Sequence, residues 1–279
     1  MSDTENPLLC EISDGVALVT FNRPARLNAF SRAMNDQFDE LMISLEQSPD
    51  VRAVVLTGAG KGFCVGTDMA DLSQTQKDGK SESFPHPKHP PALYNAFENA
   101  SDDLKSRFIL PKAMSKPVIA AVNGACSGIG LALACSSDVR FASETTVFTA
   151  IFARRGLTAE TGLAFMLSAL IGMGAASDML LSGRRIVAAE AEKMGLVSAV
   201  LPPDDLLPHA LTYARDVAQN VSPRSTAVIK RQIWQAQQGN FLDAAVLAYR
   251  EAGLSLRSED FREGVAHFVE KRPPHFTGR

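Results

Sequence analysis

The sequence predicts an α/β core followed by a C-terminal helical extension, and three observations support this fold class. Short apolar runs with β-branched residues alternate with helical patterns over the first part of the chain. From residue 203 onward, only helical patterns occur. The 279 residues are 46% hydrophobic and 21% charged, which is typical of a globular protein with a large core. We therefore divide the chain into two regions, residues 1–202 and residues 203–279.

Each element follows from its local pattern. Strands are predicted at residues 16–21, 51–56, 117–122, 139–142 and 196–201, with a short apolar segment at 147–148. Ser31 is a predicted N-cap for a helix that ends before Pro49. Thr158 is a predicted N-cap for a helix that ends at Gly183 and has Glu160 in its first turn. Further helices are predicted at residues 131–135, 188–194, 206–220, 223–238, 241–256 and 259–270, and a helical pattern covers 92–114.

Charge and composition exclude several classes of function. The net charge is −3 and there is no long basic block, which disfavours nucleic acid and anionic membranes as partners. There is no signal-like N-terminus and no uninterrupted apolar run of about 18 residues, so we expect a cytoplasmic protein. The four cysteines have no zinc-type spacing, and we expect buried free thiols and no metal. For Cys126, packing is favoured over a nucleophilic role, because no histidine is near it in the sequence.

Residues 116–162 are the central stretch of the sequence. A buried strand is followed by a glycine-rich turn at 123–130 and then by a small-residue run typical of a tightly packed helix. The first backbone N–H groups of such a helix have no partner within the helix, and the helix dipole adds partial positive charge there. We therefore expect a group to bind beside Gly128 that is negatively charged or becomes so in a transition state.

Residues 73–91 are predicted to form a long mobile loop. Four prolines interrupt this segment, and polar residues replace any apolar periodicity. His86 and His89 are three residues apart, but the prolines exclude the helix that would align them on a metal. The loop is either simply solvated or acts as a lid over a neighbouring pocket.

Taken together, these motifs resemble the crotonase superfamily, the enoyl-CoA hydratase/isomerase group, over nearly the whole chain. Any single motif is a weak signal, but their number and order make the resemblance specific. The residues that carry it are 22–24, 27–29, 63–68, 116–124, 137–142, 181–183 and 188–197.

The resemblance implies a core built as a spiral of ββα turns, with a C-terminal helical region that forms trimers or hexamers. It implies acyl-coenzyme A thioesters as substrates, with no permanently bound cofactor. The backbone N–H groups of Thr67 and Ile129 would bind the thioester oxygen. Fixed backbone donors suit this role because they are aimed at charge that develops on the oxygen.

The resemblance also implies residues that bind coenzyme A. The segment Arg26, Leu27, Asn28 and Ala29 would contact the adenine and ribose. The backbone from residue 65 to 69 would contribute as well, through Val65, Thr67, Asp68 and Met69, and Ile129 would complete the set. Arg26 is a natural partner for a phosphate, the alternative being a merely solvated arginine.

The sequence departs from the family pattern at the two glutamates by which hydratases activate water. The matching positions hold Ala132 and Phe152, which cannot transfer protons. Glu160 lies where some Δ3,Δ2-enoyl-CoA isomerases have their single catalytic glutamate. An isomerase needs one carboxylate, whose pKa an apolar pocket raises. The alternative for Glu160 is an acidic residue that only complements a helix N-terminus.

An isomerase that uses Glu160 is therefore the favoured function. A second hypothesis is a hydratase, hydrolase or dehalogenase-type lyase in which Glu160 acts as base or nucleophile on an unusual acyl group, aromatic or branched. A third is a non-catalytic acyl-CoA-binding protein. Asp68 and Asp138 are weaker catalytic candidates, because the first is usually structural in the family and the second precedes a strand.

Overall fold

The computed structural model describes residues 6–78 and 109–279, and two sheets form the scaffold of this part of the chain. The larger sheet has six strands in the order β1-β2-β3-β5-β7-β10. β1 runs antiparallel to β2, and the remaining neighbours are parallel. Its strands are β1 (Leu8–Ser13), β2 (Val16–Phe21), β3 (Ala53–Gly58), β5 (Val118–Val122), β7 (Val139–Ser143) and β10 (Ala199–Leu201).

The smaller sheet has four strands of three residues each, in the order β4-β6-β8-β9. Its β4–β6 and β6–β8 pairs are parallel, and β8–β9 is antiparallel. The strands are β4 (Gly62–Cys64), β6 (Ala125–Ser127), β8 (Val147–Thr149) and β9 (Arg185–Val187).

Ten α-helices occur in the described ranges. The first six accompany the strands, and the last four follow β10. Their bounds are α1 (Arg32–Gln47), α2 (Met69–Asp78), α3 (Leu110–Ala113), α4 (Ile129–Ser136), α5 (Leu163–Ser182), α6 (Ala188–Lys193), α7 (Pro203–Asn220), α8 (Pro223–Ala236), α9 (Phe241–Ser255) and α10 (Glu259–Glu270).

The apolar core lies on one side of the large sheet, between it, the small sheet and helices α1, α4 and α5. As predicted, Ser31 caps α1: its side chain accepts a hydrogen bond of 3.3 Å from the Met34 N–H. Phe21 makes edge-to-face contacts with Phe30 and Phe63, both with ring centroids 5.2 Å apart. Such aromatic contacts add to the stabilisation that burial provides.

Helix α7 covers the opposite face of the large sheet. Small residues on α7, Ala210, Ala214 and Ala218, pack against side chains of β2, β3, β5 and β7. Their spacing of four residues forms one narrow stripe, which lets the helix lie close to the sheet. The division of the chain at residue 202 remains a prediction, and the first helix beyond it packs directly on the core.

Most predicted elements are confirmed within one to three residues at their ends. Helix α10 has the predicted bounds, α5 ends at Gly183, and β2 spans the predicted residues. The second strand begins two residues later than predicted, and the predicted strand at 196–201 forms only over Ala199–Leu201. Strands β1, β4, β6 and β9 were not predicted, three of them because three residues are too few for alternation to be visible.

The predicted loop at 73–91 is wrong at its start, since residues 73–78 continue helix α2. The rest of that loop, with His86 and His89, lies outside the described residues, as do residues 92–108 of the predicted helical pattern. Cys10 is exposed, contrary to the expectation of buried thiols, because it lies on the edge strand β1. Cys64, Cys126 and Cys135 are buried and free.

Helix α5 is long and apolar enough to cross a membrane by length and composition. The helix is not continuous, because the backbone at Gly172 has φ 78° and ψ 157°. Part of it, including Leu163 and Leu167, is buried in the core. Length and apolarity are weak grounds for a membrane span, because core helices share them.

Candidate active site

The start of helix α4 and the segment after β4 meet at two glycines. Gly66 has φ 109° and Gly128 has φ 53°, values that glycine adopts without strain. A Cβ placed on Gly66 would lie 3.8 Å from the Ile129 nitrogen, and one on Gly128 would lie 3.6 Å from the Gly66 Cα. The two backbone segments therefore approach each other closely where the sequence predicts the thioester oxygen to bind.

Thr67 is held beside Ile129 by a β-bridge to Phe30. The Phe30 N–H donates to the Gly66 oxygen (2.8 Å), and the Asp68 N–H donates to the Phe30 oxygen (2.9 Å). In a parallel bridge these bonds use the flanking residues, and the central N–H points to the other side. Within residues 6–78 and 109–279, neither the Thr67 nor the Ile129 N–H donates to a backbone acceptor. Both N–H groups that the sequence analysis selected are thus available to a ligand oxygen.

Gly130 fixes the distance between helix α4 and strand β4. A Cβ at this position would overlap the carbonyl oxygen of Cys64, a main-chain atom that cannot move alone. Cys64 is three residues before Thr67, and Gly130 directly follows Ile129. A shift of α4 away from β4 would therefore separate the two N–H groups.

The variant Gly130→Ala is expected to lower the free energy of unfolding by about 1–3 kcal/mol, the usual cost of overpacking a core. Urea denaturation measures this loss. The matched control is Gly174→Ala, because Gly174 lies in α5 and a Cβ added there would meet no atom within 4 Å. Equal stability of Gly130→Ala and the unsubstituted protein would contradict the close contact of α4 with β4.

Asp68 has a structural role in this segment. Its Oδ2 accepts from the Arg23 guanidinium at 2.9 Å, and its Oδ1 accepts from the Ala70 N–H at 3.0 Å, at the start of α2. Burial alone would raise the pKa of Asp68, but the bonds from Ala70 and Arg23 and the charge of Arg26 lower it overall. The carboxylate is therefore ionised and engaged, as expected for a residue that positions Thr67.

The predicted coenzyme A segment is shaped by Asn28, which is fully buried. Its Oδ1 accepts from the Arg23 N–H (2.8 Å), and its Nδ2 donates to the oxygens of Ala59 (3.0 Å) and Gly62 (2.6 Å). Leu27 and Asn28 have φ values of 48° and 58°, a strained backbone that this side-chain network holds. Arg26 and Ala29, on either side of this turn, line the cavity described next.

A cavity of about 780 Å³ runs along this surface. Its size is in the range of small-molecule and cofactor sites. Six of the residues that the sequence analysis selected line it, whereas Leu27, Ile129 and Glu160 are not in its wall. The six are Arg26, Ala29, Val65, Thr67, Asp68 and Met69.

The rest of the cavity wall was missed from the sequence. It comes from β6, β8, the turn after β8 and the start of β9. Two Arg-Arg dipeptides, each next to a predicted element end, were the available signal. Among the missed residues are Ser127, Thr149, Ile151, Arg154, Arg155, Arg184 and Arg185.

Glu160 lies in the loop between the turn at Ala153–Arg155 and helix α5. The prediction that Thr158 caps α5 is wrong: α5 starts at Leu163 after Gly162, and Glu160 precedes it. The Leu163 N–H donates to the Glu160 backbone oxygen at 3.0 Å. The half-buried carboxyl has a raised pKa, and burial is the cause. Glu160 lies two residues ahead of the N-cap Gly162 and not in the first turn of α5.

The two positions that match the hydratase glutamates are apolar and buried. Ala132 is in the middle of α4 and Phe152 follows β8, and both are buried. Cys126 is also buried, and burial raises the pKa of its thiol well above the ordinary value. A neutral buried thiol is a poor nucleophile, in agreement with the packing interpretation.

Asp138 is likewise engaged structurally. Its Oδ2 accepts from the Lys230 ammonium at 2.7 Å and from the Val118 N–H at 2.8 Å. Lys230 also donates to the backbone oxygens of Pro111 (2.7 Å) and Lys116 (2.9 Å). This cluster joins helix α8 to the core. The Asp138 carboxylate therefore has a structural role and is not the proton-transfer group.

The chain is similar to proteins of one family over almost its full length. Residues 11–279 match the family model described as enoyl-CoA hydratase/isomerase. A probable enoyl-CoA hydratase of Rhodobacter capsulatus is 37% identical over 271 residues, covering 96% of this chain and 97% of that protein. A 1,2-epoxyphenylacetyl-CoA isomerase of Escherichia coli is 32% identical over 273 residues, covering 98% of each.

Solved structures agree with this match. A probable enoyl-CoA hydratase/isomerase from Mycobacterium abscessus superposes with a TM-score of 0.84 at 31% identity, covering 98% of this chain and 99% of that chain. A structure described as a putative enoyl-CoA hydratase from Streptomyces coelicolor superposes with a TM-score of 0.85 at 31% identity, covering 100% of this chain and 98% of that chain. With its two sheets and the paired glycines at the start of α4, the chain belongs to the enoyl-CoA hydratase/isomerase family of the crotonase superfamily.

Proposed function

We propose that this protein is an enoyl-CoA isomerase that moves a Δ3 double bond to Δ2 with Glu160 as its single base. The Glu160 carboxylate takes a proton from C2 of the thioester. The N–H groups of Thr67 and Ile129 bind the thioester oxygen and stabilise the dienolate. The Glu160 carboxylic acid then returns the proton at C4, so that one group serves as base and as acid.

One observation carries this proposal: apolar residues replace both water-activating glutamates, while a half-buried glutamate with a raised pKa remains. Ala132 and Phe152 cannot hold or activate water, which argues against hydration although several relatives are named hydratases. A raised pKa suits Glu160 to both halves of the reaction, because the base must also be a competent acid. Isomerisation needs only one such group.

A second candidate is isomerisation of an aromatic epoxide carried on coenzyme A. It is favoured by the 32% identity to the 1,2-epoxyphenylacetyl-CoA isomerase over 98% of both chains. Such a reaction would also use the bound thioester oxygen. It fits the expectation from the sequence that the acyl group is unusual.

The experiment incubates the purified protein in deuterated water with a 3-enoyl-CoA and, separately, with a 2-enoyl-CoA. Chromatography against both authentic thioesters separates the isomers, and mass detects added water or deuterium. We expect conversion of the 3-enoyl to the 2-enoyl thioester, without the heavier 3-hydroxyacyl product that addition of water would give. Hydration of the 2-enoyl-CoA would overturn the proposal. An epoxyphenylacetyl thioester in a parallel incubation tests the second candidate.

The binding of coenzyme A by Arg26, Leu27, Ala29 and residues 65–69, and assembly into trimers or hexamers, are part of the same proposal. The first is supported by the position of Arg26 in the cavity wall. The second is supported by large apolar side chains exposed on the C-terminal helices. Phe241, Tyr249 and Phe268 are 88%, 83% and 79% exposed.

A further inference from the structure

Four arginines stand together in the cavity wall, on the turn after β8 and at the start of β9. They are Arg154, Arg155, Arg184 and Arg185. Arg184 is neutralised, since its guanidinium contacts Asp178 at 2.7 Å and Glu190 at 2.6 Å. In the described part of the chain, no carboxylate forms an ion pair with the other three.

The Arg154 side chain is held in place. Its Nε donates to the Ser182 backbone oxygen at 2.8 Å, and its stem lies against Gly183, where a Cβ would come within 3.0 Å of Arg154 Cγ. This bond uses Nε and leaves the two terminal nitrogens of the guanidinium to face a ligand. Such a pre-positioned fork matches the geometry of a carboxylate or phosphate.

Arg185 faces the same cavity from the other strand. It pairs directly with Thr149 across the antiparallel strands β8 and β9. Side chains alternate along each strand, so Val147, Thr149 and Arg185 share the face that lines the cavity, while Phe148 and Ile186 point into the core. The positive charge of Arg185 therefore faces the cavity.

These arginines lie on the Ile129 side of the proposed oxygen site. The Gly128 N–H donates to the Thr149 oxygen (3.4 Å), a Cβ on Gly128 would be 3.9 Å from Ile151 Cγ2, and the Arg154 N–H donates to the Ile151 oxygen (3.1 Å). Arg26, by contrast, lies on the chain segment that carries Thr67 through the bridge to Phe30. Arg154 and Arg155 are thus connected to the Ile129 segment of the oxygen site, whereas Arg26 is connected to the Thr67 segment.

We propose that the acyl group of the natural substrate ends in a carboxylate, bound by Arg154, Arg155 and Arg185. A thioester held at Thr67 and Ile129 has coenzyme A on one side and its acyl group on the other. With the coenzyme A phosphates near Arg26, we assign the acyl terminus to the arginine-rich wall. The inference relies on the proposed function for the placement of the thioester, and it defines the substrate class as a dicarboxylic acyl-CoA.

The test compares glutaryl-CoA with valeryl-CoA, which share an acyl chain of the same length and differ in the terminal carboxylate. Calorimetric titration measures the affinity for the unsubstituted protein and for the double variant Arg155→Gln/Arg185→Gln. Both side chains are exposed, so the fold is expected to survive, and thermal unfolding checks this. Arg257→Gln, on an exposed turn before α10, is the control for loss of a positive charge.

We expect the unsubstituted protein to bind glutaryl-CoA more tightly than valeryl-CoA. The double variant should lose roughly ten- to hundred-fold of its glutaryl-CoA affinity, as for a hydrogen bond to a charged group, with little change for valeryl-CoA. Absence of the preference in the unsubstituted protein would overturn the inference. An equal loss for both thioesters and for free coenzyme A would also overturn it, because the arginines would then bind the phosphates. Both ligands are saturated, so the result does not depend on whether the protein isomerises a double bond.

Discussion

Replacing Glu160 with glutamine is expected to slow conversion of a 3-enoyl-CoA to the 2-enoyl-CoA by roughly 10²- to 10⁴-fold, the usual contribution of a positioned general base. Glutamine keeps the size and polarity of the side chain but cannot accept the C2 proton. The N–H groups of Thr67 and Ile129 are backbone atoms and remain in place. Binding of the thioester is therefore expected to change much less than turnover.

Initial rates and the affinity for a saturated acyl-CoA together test this prediction. The matched control is Glu144→Gln, because Glu144 is exposed in the turn between β7 and β8. The control should retain the unsubstituted rate. A Glu160→Gln variant that turns over as fast as the control would exclude Glu160 as the base.

The pH dependence of turnover offers a second readout of Glu160. Proton abstraction requires the ionised carboxylate, and burial raises the pKa of this group. Activity should therefore fall as the pH decreases through that raised pKa, at a higher pH than an ordinary solvent-exposed glutamate would give. Loss of this acidic limb in the residual activity of Glu160→Gln would assign the limb to Glu160.

The variant Lys230→Met is expected to lower the free energy of unfolding by about 3 kcal/mol, near the lower end of the range for breaking a buried ion pair. Methionine fills much of the space but leaves the Asp138 carboxylate without its cation. The carbonyl oxygens of Pro111 and Lys116 lose their donor as well. Because the Asp138 side chain keeps 22% of its solvent exposure, water offsets part of the loss.

Urea denaturation measures the free energy of unfolding of Lys230→Met. The control is Lys193→Met, because Lys193 is exposed on α6 and shows the effect of a lysine-to-methionine change without loss of a buried ion pair. Helix α8 should also lose protection from hydrogen exchange, because Lys230 joins it to the core. A loss below about 1 kcal/mol would contradict the assigned role, because even one charged hydrogen bond usually contributes more.

The sequence predicted the elements whose patterns are long enough to be read. Helices α1 and α10 and strand β2 show clear apolar periodicity and caps, and their predicted bounds hold. The strands of the small sheet have three residues each, and nothing in so short a run separates a strand from a turn. The start of the predicted loop at residue 73 was misplaced because helix α2 is polar and lacks an apolar stripe.

The candidate site was predicted in part for a similar reason. Glycines and a helix start mark the oxygen site, because backbone geometry leaves a sequence signature at Gly66 and Gly128. The arginine-rich wall leaves only its two Arg-Arg dipeptides, and these do not show that pairing of β8 with β9 brings Arg185 beside Thr149, a residue far from it in the sequence. The role of Asp68 was also recognisable only as a family tendency until its bonds to Arg23 and Ala70 were seen.

Both proposed oxygen donors are main-chain groups, held by a β-bridge to Phe30 and by the close contact of Gly130 with β4. A point mutation at Thr67 or Ile129 exchanges a side chain but, proline aside, cannot delete the N–H. A lineage can therefore gain or lose a carboxylate at position 132, 152 or 160 while its members still polarise a thioester. New reactions can then arise by single substitutions, because each variant keeps the backbone groups that stabilise the charged thioester oxygen. The side chains then decide which reaction follows.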